Sequence, residues 1–186
     1  MFGIRNFFKR EAKGKDRRQN HMHMGVQLLG SLLVCYPEIT AITYDPQRDN
    51  LELTFMVKQP LPPGRALPDF ADFLRESLET YHEFEEGIYV WSSVNVEEQG
   101  DTLLVHIARN LADLSRGELE VMAELMLDRF GDHLMVDSHT VENLEPEFAN
   151  MHSEILDQLL DQAPDITIKE RMAAIRENDR VVVYNR

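Results

Sequence analysis

The sequence has a single cysteine, Cys35, so an intrachain disulfide cannot form. A chain with so few cysteines suits a reducing compartment, and we expect a cytoplasmic protein. Cys35 lies in an apolar stretch without a basic neighbour in sequence, which predicts a small core side chain instead of a reactive thiol. Apolar runs of membrane-spanning length are also missing. The most apolar stretch, residues 24–36, is too short and is interrupted by Gln27 and Ser31.

Catalytic and cofactor motifs are absent from the sequence as well. It contains no Gly-rich dinucleotide loop, no nucleophile elbow and no cysteine pairs of the zinc-binding type. The segment from Gly25 to Ser31 loosely matches a phosphate-binding loop. It lacks the lysine and lies within a helical pattern, so we reject that interpretation. These absences favour a non-enzymatic protein, and we predict no cofactor.

Two groups of histidines contain the kinds of ligand that metals prefer. His21 and His23 flank a methionine, and soft ligands of this kind suit copper(I). The second group contains His133, Asp137 and His139. Neither group has the spacing of a known metal motif, and such residues are ordinary at helix ends and in loops. We therefore predict no bound metal at either place.

Charge is distributed unevenly along the chain. Residues 1–18 hold seven basic residues against two acidic ones, about +5, which leaves −19 for the rest of a chain whose formal charge is −14. This asymmetry predicts a flexible basic arm over residues 1–20, followed by a single α+β domain over residues 21–186. The acidic domain should repel phosphate backbones, so we expect no nucleic-acid partner for it.

Apolar and basic residues are interleaved at the start of the arm. On a helix this pattern gives a short amphipathic segment, which predicts a contact with a partner or a weak attachment to a membrane surface. A frayed terminus whose apolar residues pack back onto the domain is the alternative. The candidate contact residues of the arm are Phe2, Ile4, Arg5, Phe7, Phe8, Lys9 and Arg10.

The central stretch predicts one structural unit, which is followed by a second of the same kind. Strands Ile39–Tyr44 and Leu51–Lys58 are joined by a turn rich in Asp, Pro and Asn, and helix Asp69–Glu85 follows them. Apolar residues occupy every second position from residue 51 to residue 57, which is the period of a half-buried strand. The predicted apolar stripe of the helix is Phe70, Phe73, Leu74, Leu78 and Tyr81.

The second predicted unit repeats this order. Residues 88–96 and strand Thr102–Ala108 alternate in the same way and are joined by a turn at Gly100. Ser115 and Glu118 match a capping box, in which each side chain accepts a hydrogen bond from a backbone N–H at the helix start. The predicted helix ends at Gly131, a residue tolerant of left-handed backbone geometry.

The remaining stretches complete the predicted fold. Two further helices are expected at Met22–Tyr36 and Pro146–Gln162, and a second capping box at Thr167 and Glu170 predicts a short helix up to Arg176. Two short strands are expected at His133–Asp137 and Arg180–Tyr184. The fold class is therefore α+β: an antiparallel sheet of at least four strands built from two hairpin–helix units (ββαββα), with additional N- and C-terminal helices and a closing strand.

The second face of this predicted sheet is too apolar to remain in contact with water. Two helices on one side of a sheet bury only one face, so the other requires a cover. The N-terminal helix, the C-terminal helix and a second subunit are the alternatives. The residues assigned to this face are Ile42, Tyr44, Thr54, Met56, Tyr89, Trp91, Leu104 and His106.

Three functional hypotheses follow. The first is a non-enzymatic adaptor or regulatory module that binds a protein partner or forms a homodimer, with the arm as a secondary contact. Its candidate contact residues are Tyr44, Met56, Tyr89, Trp91, Leu104 and His106. The second is an enzyme or small-ligand binder with a pocket near Trp91 and His106, in which the histidine acts as an acid or base. The third is an acidic protein that occupies the nucleic-acid-binding surface of another protein.

Overall fold

In the part of the chain that the structure describes, six strands form one antiparallel sheet and four helices pack on it, which confirms the α+β class. A computed structural model describes residues 23–60, 69–85, 91–136, 146–177 and 180–185. The strands follow one another across the sheet in the order β3-β4-β2-β1-β5-β6. The elements are α1 (residues 23–35), β1 (Ile39–Asp45), β2 (Asn50–Lys58), α2 (Phe70–Glu85), β3 (Ser92–Gln99), β4 (Thr102–Asn110), α3 (Arg116–Phe130), α4 (Pro146–Asp161), β5 (Met172–Glu177) and β6 (Arg180–Asn185).

Strands β2 and β4 lie side by side near the middle of the sheet. Leu53 pairs with Ile107 and Phe55 with Val105, so the two sets of alternating apolar residues face the same side. All four of these side chains are completely buried. The period-2 pattern in the sequence therefore identified the buried side of both strands correctly.

A β-bulge changes which residues of β1 face the core. The pairing register shifts between Ile39 and Ala41, so Ile39 and Ile42 both lie on the buried side although they are three residues apart. Tyr44 then follows Ile42 on the same side and is buried too. The assignment of Ile42 and Tyr44 to the second face is therefore wrong, because simple alternation does not allow for the extra residue.

All four helices cover the same face of the sheet, which we call the inner face. Their buried residues form one hydrophobic cluster with the inner-face residues of the strands. The expectation that α1 or α4 covers the second face is therefore wrong. Strands β5 and β6 widen the sheet by about 10 Å, and this extra width accommodates further helices on the inner face. The helical residues of the cluster include Leu28, Leu29, Leu32, Leu33, Phe70, Leu74, Leu78, Leu119, Met122, Met126, Phe130, Leu156, Leu159 and Leu160.

The buried stripe of α2 contains three of the five predicted residues, without Phe73 and Tyr81, and it adds His82. It consists of Phe70, Leu74, Leu78 and His82, which follow one another at steps of four residues. Phe73, predicted to be buried, is 53% exposed. His82 thus extends the buried stripe to the last turn of the helix. Hydropathy alone did not identify this histidine as a buried residue.

The predicted short helix after Thr167 is wrong. The backbone before residue 172 is not helical, and β5 begins at Met172. Ile166, Ile168, Met172 and Ala174 are all buried, and their even spacing is the period of a strand. Burial of these side chains prevails over the local capping pattern.

The predicted strands that flank α4 have different outcomes. Strand β6 confirms the prediction at Arg180–Tyr184. In place of the strand at His133–Asp137, a 3-10 turn at Gly131–His133 leads to Leu134, which forms one bridge with Val57. Asp137 itself lies outside the described residues. Within the described ranges, no helix combines the length and the apolar character that crossing a membrane requires.

Arg176 of β5 joins the end of α1 to the sheet. Its guanidinium donates hydrogen bonds to the carbonyl oxygens of Leu33, Tyr36 and Ile39, the last over 3.2 Å. The carbonyls at a helix C-terminus lack intrahelical partners and carry partial negative charge, so a cation is stabilising there.

Replacing Arg176 should therefore destabilise the fold through the loss of these bonds. We expect Arg176→Met to lower the free energy of unfolding by about 1.5–3 kcal/mol, the usual range for hydrogen bonds to a charged group. Arg171→Met is the matched control, since its ion pair with Asp45 is exposed and should contribute less than about 1 kcal/mol. Urea denaturation measures both, and equal losses would contradict the role assigned to Arg176.

Candidate functional site

A buried ion pair lies between the sheet and α3. Arg109, near the end of β4, continues the alternation of Leu103, Val105 and Ile107, so its side chain points toward the helices. Its guanidinium donates to both carboxylate oxygens of Glu118, with an Nη2–Oε2 distance of 3.2 Å. Both side chains have 0% exposure. Burying either charge alone would be costly, and the bidentate contact offsets that cost.

Two further groups complete what we call the Arg109 cluster: Arg109, Glu118, His82 and the carbonyl of Trp91. Nε2 of His82 lies 3.1 Å from Arg109 Nη2 and 3.1 Å from Glu118 Oε2. Arg109 Nη1 donates to the Trp91 carbonyl just before β3. One guanidinium thereby connects α2, α3, β4 and the start of β3.

The first turn of α3 positions Glu118 in this cluster. Ser115 caps the helix, and its hydroxyl accepts the backbone N–H of Glu118 over 3.2 Å, as the capping box predicted. The Glu118 carboxylate binds Arg109 and therefore does not complete the predicted box. Gly117 leaves room for Tyr81 of α2, because a Cβ atom there would collide with the hydroxyl of Tyr81 and that side chain would have to move.

The sequence carried signals for this cluster that hydropathy alone did not reveal. Arg109 is in phase with three buried apolar residues, and His82 follows Leu78 at a step of four. For Glu118, a role in the capping box was the simplest interpretation of the sequence pattern. Only the packing of α2 and α3 against β4 brings the three side chains together.

None of the described side chains on the opposite side of the sheet, which we call the outer face, belongs to the hydrophobic cluster that the helices form with the inner face. Along each strand, the residues on this face alternate with residues on the inner face, and residues paired across neighbouring strands share a face. Its side chains are half-buried or exposed, apart from Ala108. The outer face comprises Ala41, Thr43, Glu52, Thr54, Met56, Ser93, Asn95, Glu97, Leu104, His106, Ala108, Ala173, Ile175, Val182 and Tyr184.

Three of the predicted site residues, Met56, Leu104 and His106, do lie on this outer face. Tyr44 lies on the inner face, and Tyr89 and the arm residues fall outside the described ranges. Trp91 is adjacent to Ser92, which pairs with Arg109. His106 lies three residues before Arg109 on β4, so about 10 Å along the strand separates it from the Ser92–Arg109 pair next to Trp91.

His106 is surrounded by oxygen atoms on the outer face. Its Nδ1 lies 3.1 Å from Thr54 Oγ1 and 3.7 Å from a carboxylate oxygen of Glu52, while Nε2 lies 4.0 Å from Glu97. These neighbours hold the ring against the sheet. No cluster of three or more His, Cys, Asp or Glu residues suited to a metal occurs in the part of the chain that the structure describes.

In the folded chain a basic residue lies next to Cys35, although the sequence around Cys35 did not indicate one. Arg116, at the start of α3, lies near enough to Cys35 to act electrostatically on the thiol, and it lies over the ring of Tyr36, with 5.4 Å from its Cζ to the ring centroid. Burial raises the pKa of Cys35, and this effect exceeds the opposing influence of Arg116. The thiol is therefore held in its protonated, less nucleophilic form.

Breaking the Arg109 cluster on one side should be more harmful than replacing both charges. We expect Arg109→Met or Glu118→Gln to lower the free energy of unfolding by about 3–5 kcal/mol, because the remaining partner stays buried without its counterpart. The double variant Arg109→Met/Glu118→Gln should lose less than the sum of the singles, because neither charge is then left without its partner.

The exposed pair of Arg75 and Asp72 is the control for this experiment. Arg75→Met should cost less than about 1 kcal/mol. Urea denaturation of all four variants gives the coupling energy directly. Additive losses at Arg109 and Glu118 would show that the two side chains do not act as a unit.

Comparison with known proteins adds no assignment to these residues. The chain matches no protein-family model, no curated protein and no solved structure. Its function has therefore to be inferred from its own side chains.

Proposed function

We propose that this protein is a non-enzymatic adaptor or regulatory module that binds a protein partner on the outer face of its sheet. The observation that carries the proposal is the one-sided packing: α1, α2, α3 and α4 all join the inner-face cluster. A sheet with a single covered face leaves a broad surface available, and broad apolar surfaces commonly mark interaction sites.

The side chains of the outer face suit close approach by another protein. Small residues occupy its middle, where Ala41, Thr43 and Ala173 lie on the neighbouring strands β1 and β5. Larger apolar side chains flank them on β6, and Tyr184 there is 43% exposed. Exposed tyrosines next to apolar side chains are typical of the residues that contribute most to binding energy.

Charge supports a secondary contribution from the arm. Residues 1–18 carry about +5 and the rest of the chain −19. A basic segment of this kind is attracted to acidic protein surfaces and to anionic lipid headgroups. We propose that the arm is a second contact with the partner or a weak attachment to a membrane surface.

Site-specific photocrosslinking tests the outer face. A benzophenone amino acid replaces Ile175 on the outer face, and in the control it replaces Met151, an exposed residue of α4. In extracts of the source cells, we expect the outer-face variant to give a discrete cross-linked product that the control does not give. Adding Thr43→Lys should reduce its yield several-fold, because a charge then lies in the middle of the interface.

The products distinguish the alternatives. A product of twice the chain mass identifies a second copy of this chain, and any other discrete mass identifies a different protein. The same product from both positions, or a yield unaffected by Thr43→Lys, would contradict the proposal. Removing residues 1–18 should lower the yield or abolish sedimentation with anionic vesicles, and if neither changes, the arm has no part in binding.

Two finer points belong to the same proposal. We propose that the two hairpin–helix units (ββαββα) are structural equivalents that each supply two strands of the outer face. The support is the order β1, β2, α2, β3, β4, α3 along the chain. We also propose a cytoplasmic location, which the single, half-buried cysteine supports.

A further inference from the structure

A pocket of about 280 Å³ opens at one end of the sheet. Three segments meet there: the β1–β2 turn, the residue before β3 and the end of β4 with the turn that follows. The pairing of Asn50 with Asn110 and of Ser92 with Arg109 brings them together. The lining residues are Arg48, Asp49, Asn50, Trp91, Asn110 and Asp113.

Trp91 supplies an exposed aromatic surface to this pocket. It is the only tryptophan of the chain, and 59% of it is exposed. Its backbone carbonyl accepts a hydrogen bond from the buried Arg109, so the backbone that carries the indole is held in place. The face of an indole ring attracts cations more strongly than any other protein aromatic.

Two carboxylates lie beside the ring, and one of them is held in place. Asp49 adopts a left-handed backbone conformation with a φ of 48°. Its Oδ1 accepts a 2.7 Å hydrogen bond from the hydroxyl of Tyr44. Burial, together with this bond to Asp49, raises the pKa of Tyr44, so the hydroxyl keeps the proton that it donates. The hydrogen bond from Tyr44 therefore positions the Asp49 carboxylate before any ligand binds, which lowers the ordering cost of binding.

Asn50 adds a hydrogen-bond acceptor that has no partner. Its Oδ1 is buried and forms no hydrogen bond with any of the described residues. The amide oxygen of Asn110 differs, because it already accepts the N–H of Ala112 over 3.1 Å. Buried acceptors are almost always paired, so the unpaired Asn50 oxygen leaves negative potential behind the pocket wall, although it is too shielded to contact a ligand directly.

From these contacts we propose that the pocket binds an organic cation, either a guanidinium or a primary ammonium group. The carboxylates of Asp49 and Asp113 supply acceptors, Trp91 supplies the ring face, and the shielded Asn50 oxygen adds negative potential from behind the wall. Arg48 is the one cation among the lining residues, and it is exposed. A guanidinium fits best, because it can stack on indole and donate several N–H bonds in its plane. The long-range attraction comes from the acidic domain.

The cation has two sources, a basic side chain of a peptide segment or a free small amine. Both present the same chemistry to the pocket, and their affinities distinguish them. This proposal does not depend on the outer face being a binding surface, because the pocket lies at the end of the strands.

Intrinsic fluorescence provides the test, since the only tryptophan lies in the pocket. The full-length chain is titrated with acetyl-Gly-Arg-Gly-amide, with the neutral citrulline counterpart and with agmatine. We expect a saturable change with the arginine peptide and binding about tenfold weaker for the citrulline peptide. Asp113→Asn should weaken arginine-peptide binding about tenfold through the loss of one charge contact. Asp101→Asn is the matched control, since its exposed carboxylate lies in the turn at the opposite end of the sheet.

The outcomes separate as follows. Tighter binding of the peptide than of agmatine identifies a basic segment as the ligand, and the reverse identifies a free amine. Equal binding of the citrulline peptide, no saturable change with any cation, or equal effects of Asp113→Asn and Asp101→Asn would overturn the proposal. Calorimetry on Trp91→Phe and Trp91→Ala provides a readout without the fluorophore: phenylalanine should retain weaker binding and alanine should lose it. Failure here leaves the cross-linking result on the outer face unaffected.

Discussion

The buried pair of Arg109 and Glu118 is the interaction on which the arrangement of strands and helices depends. Each charge is completely buried, so any structure that separates them leaves an uncompensated ion in the core. The guanidinium also contacts His82 of α2 and the Trp91 carbonyl ahead of β3. A helix that slid along the sheet would lose several of these contacts at once. We therefore regard the cluster as a determinant of register, with the apolar core providing most of the stability.

This cluster holds α2 and α3 on the inner face of the sheet, where α1 and α4 also join the hydrophobic core. With α2 and α3 held by the cluster and α1 joined to β5 through Arg176, the described helices pack on the inner face. None of the outer-face side chains belongs to their hydrophobic cluster. The cluster also fixes the backbone at Trp91, so the same buried charge supports the pocket at the end of the strands.

Local patterns predicted much of the fold because they depend on burial. The alternation in β2 and β4 and the helices around them followed from periodicity, since one face of each element is apolar. The bulge in β1 and the change from a predicted helix to β5 did not follow. Pairing with β2 decides the first, and burial of Ile166 and Ile168 decides the second. Both effects are tertiary, and a local pattern cannot contain them.

The candidate sites were predicted only in part for the same reason. Met56, Leu104 and His106 were placed on the second face correctly, because β2 and β4 alternate without interruption. The association of Trp91 with Asp49 and Asp113 depends on three segments that are distant in sequence. The same holds for the Arg109 cluster, where a strand residue, a helix cap and a helix C-terminus meet only after folding.

Amide hydrogen exchange in Glu118→Gln tests most directly whether the cluster joins these elements. The account predicts that protection falls together at the end of α2, the start of β3 and the start of α3. Exchange there should be faster by about 100-fold, which corresponds to nearly 3 kcal/mol. Strands β5 and β6, which lie at the other side of the sheet, should keep their protection. A loss confined to the start of α3 would contradict the account, because the pair would then stabilise one helix cap and not the junction of four elements.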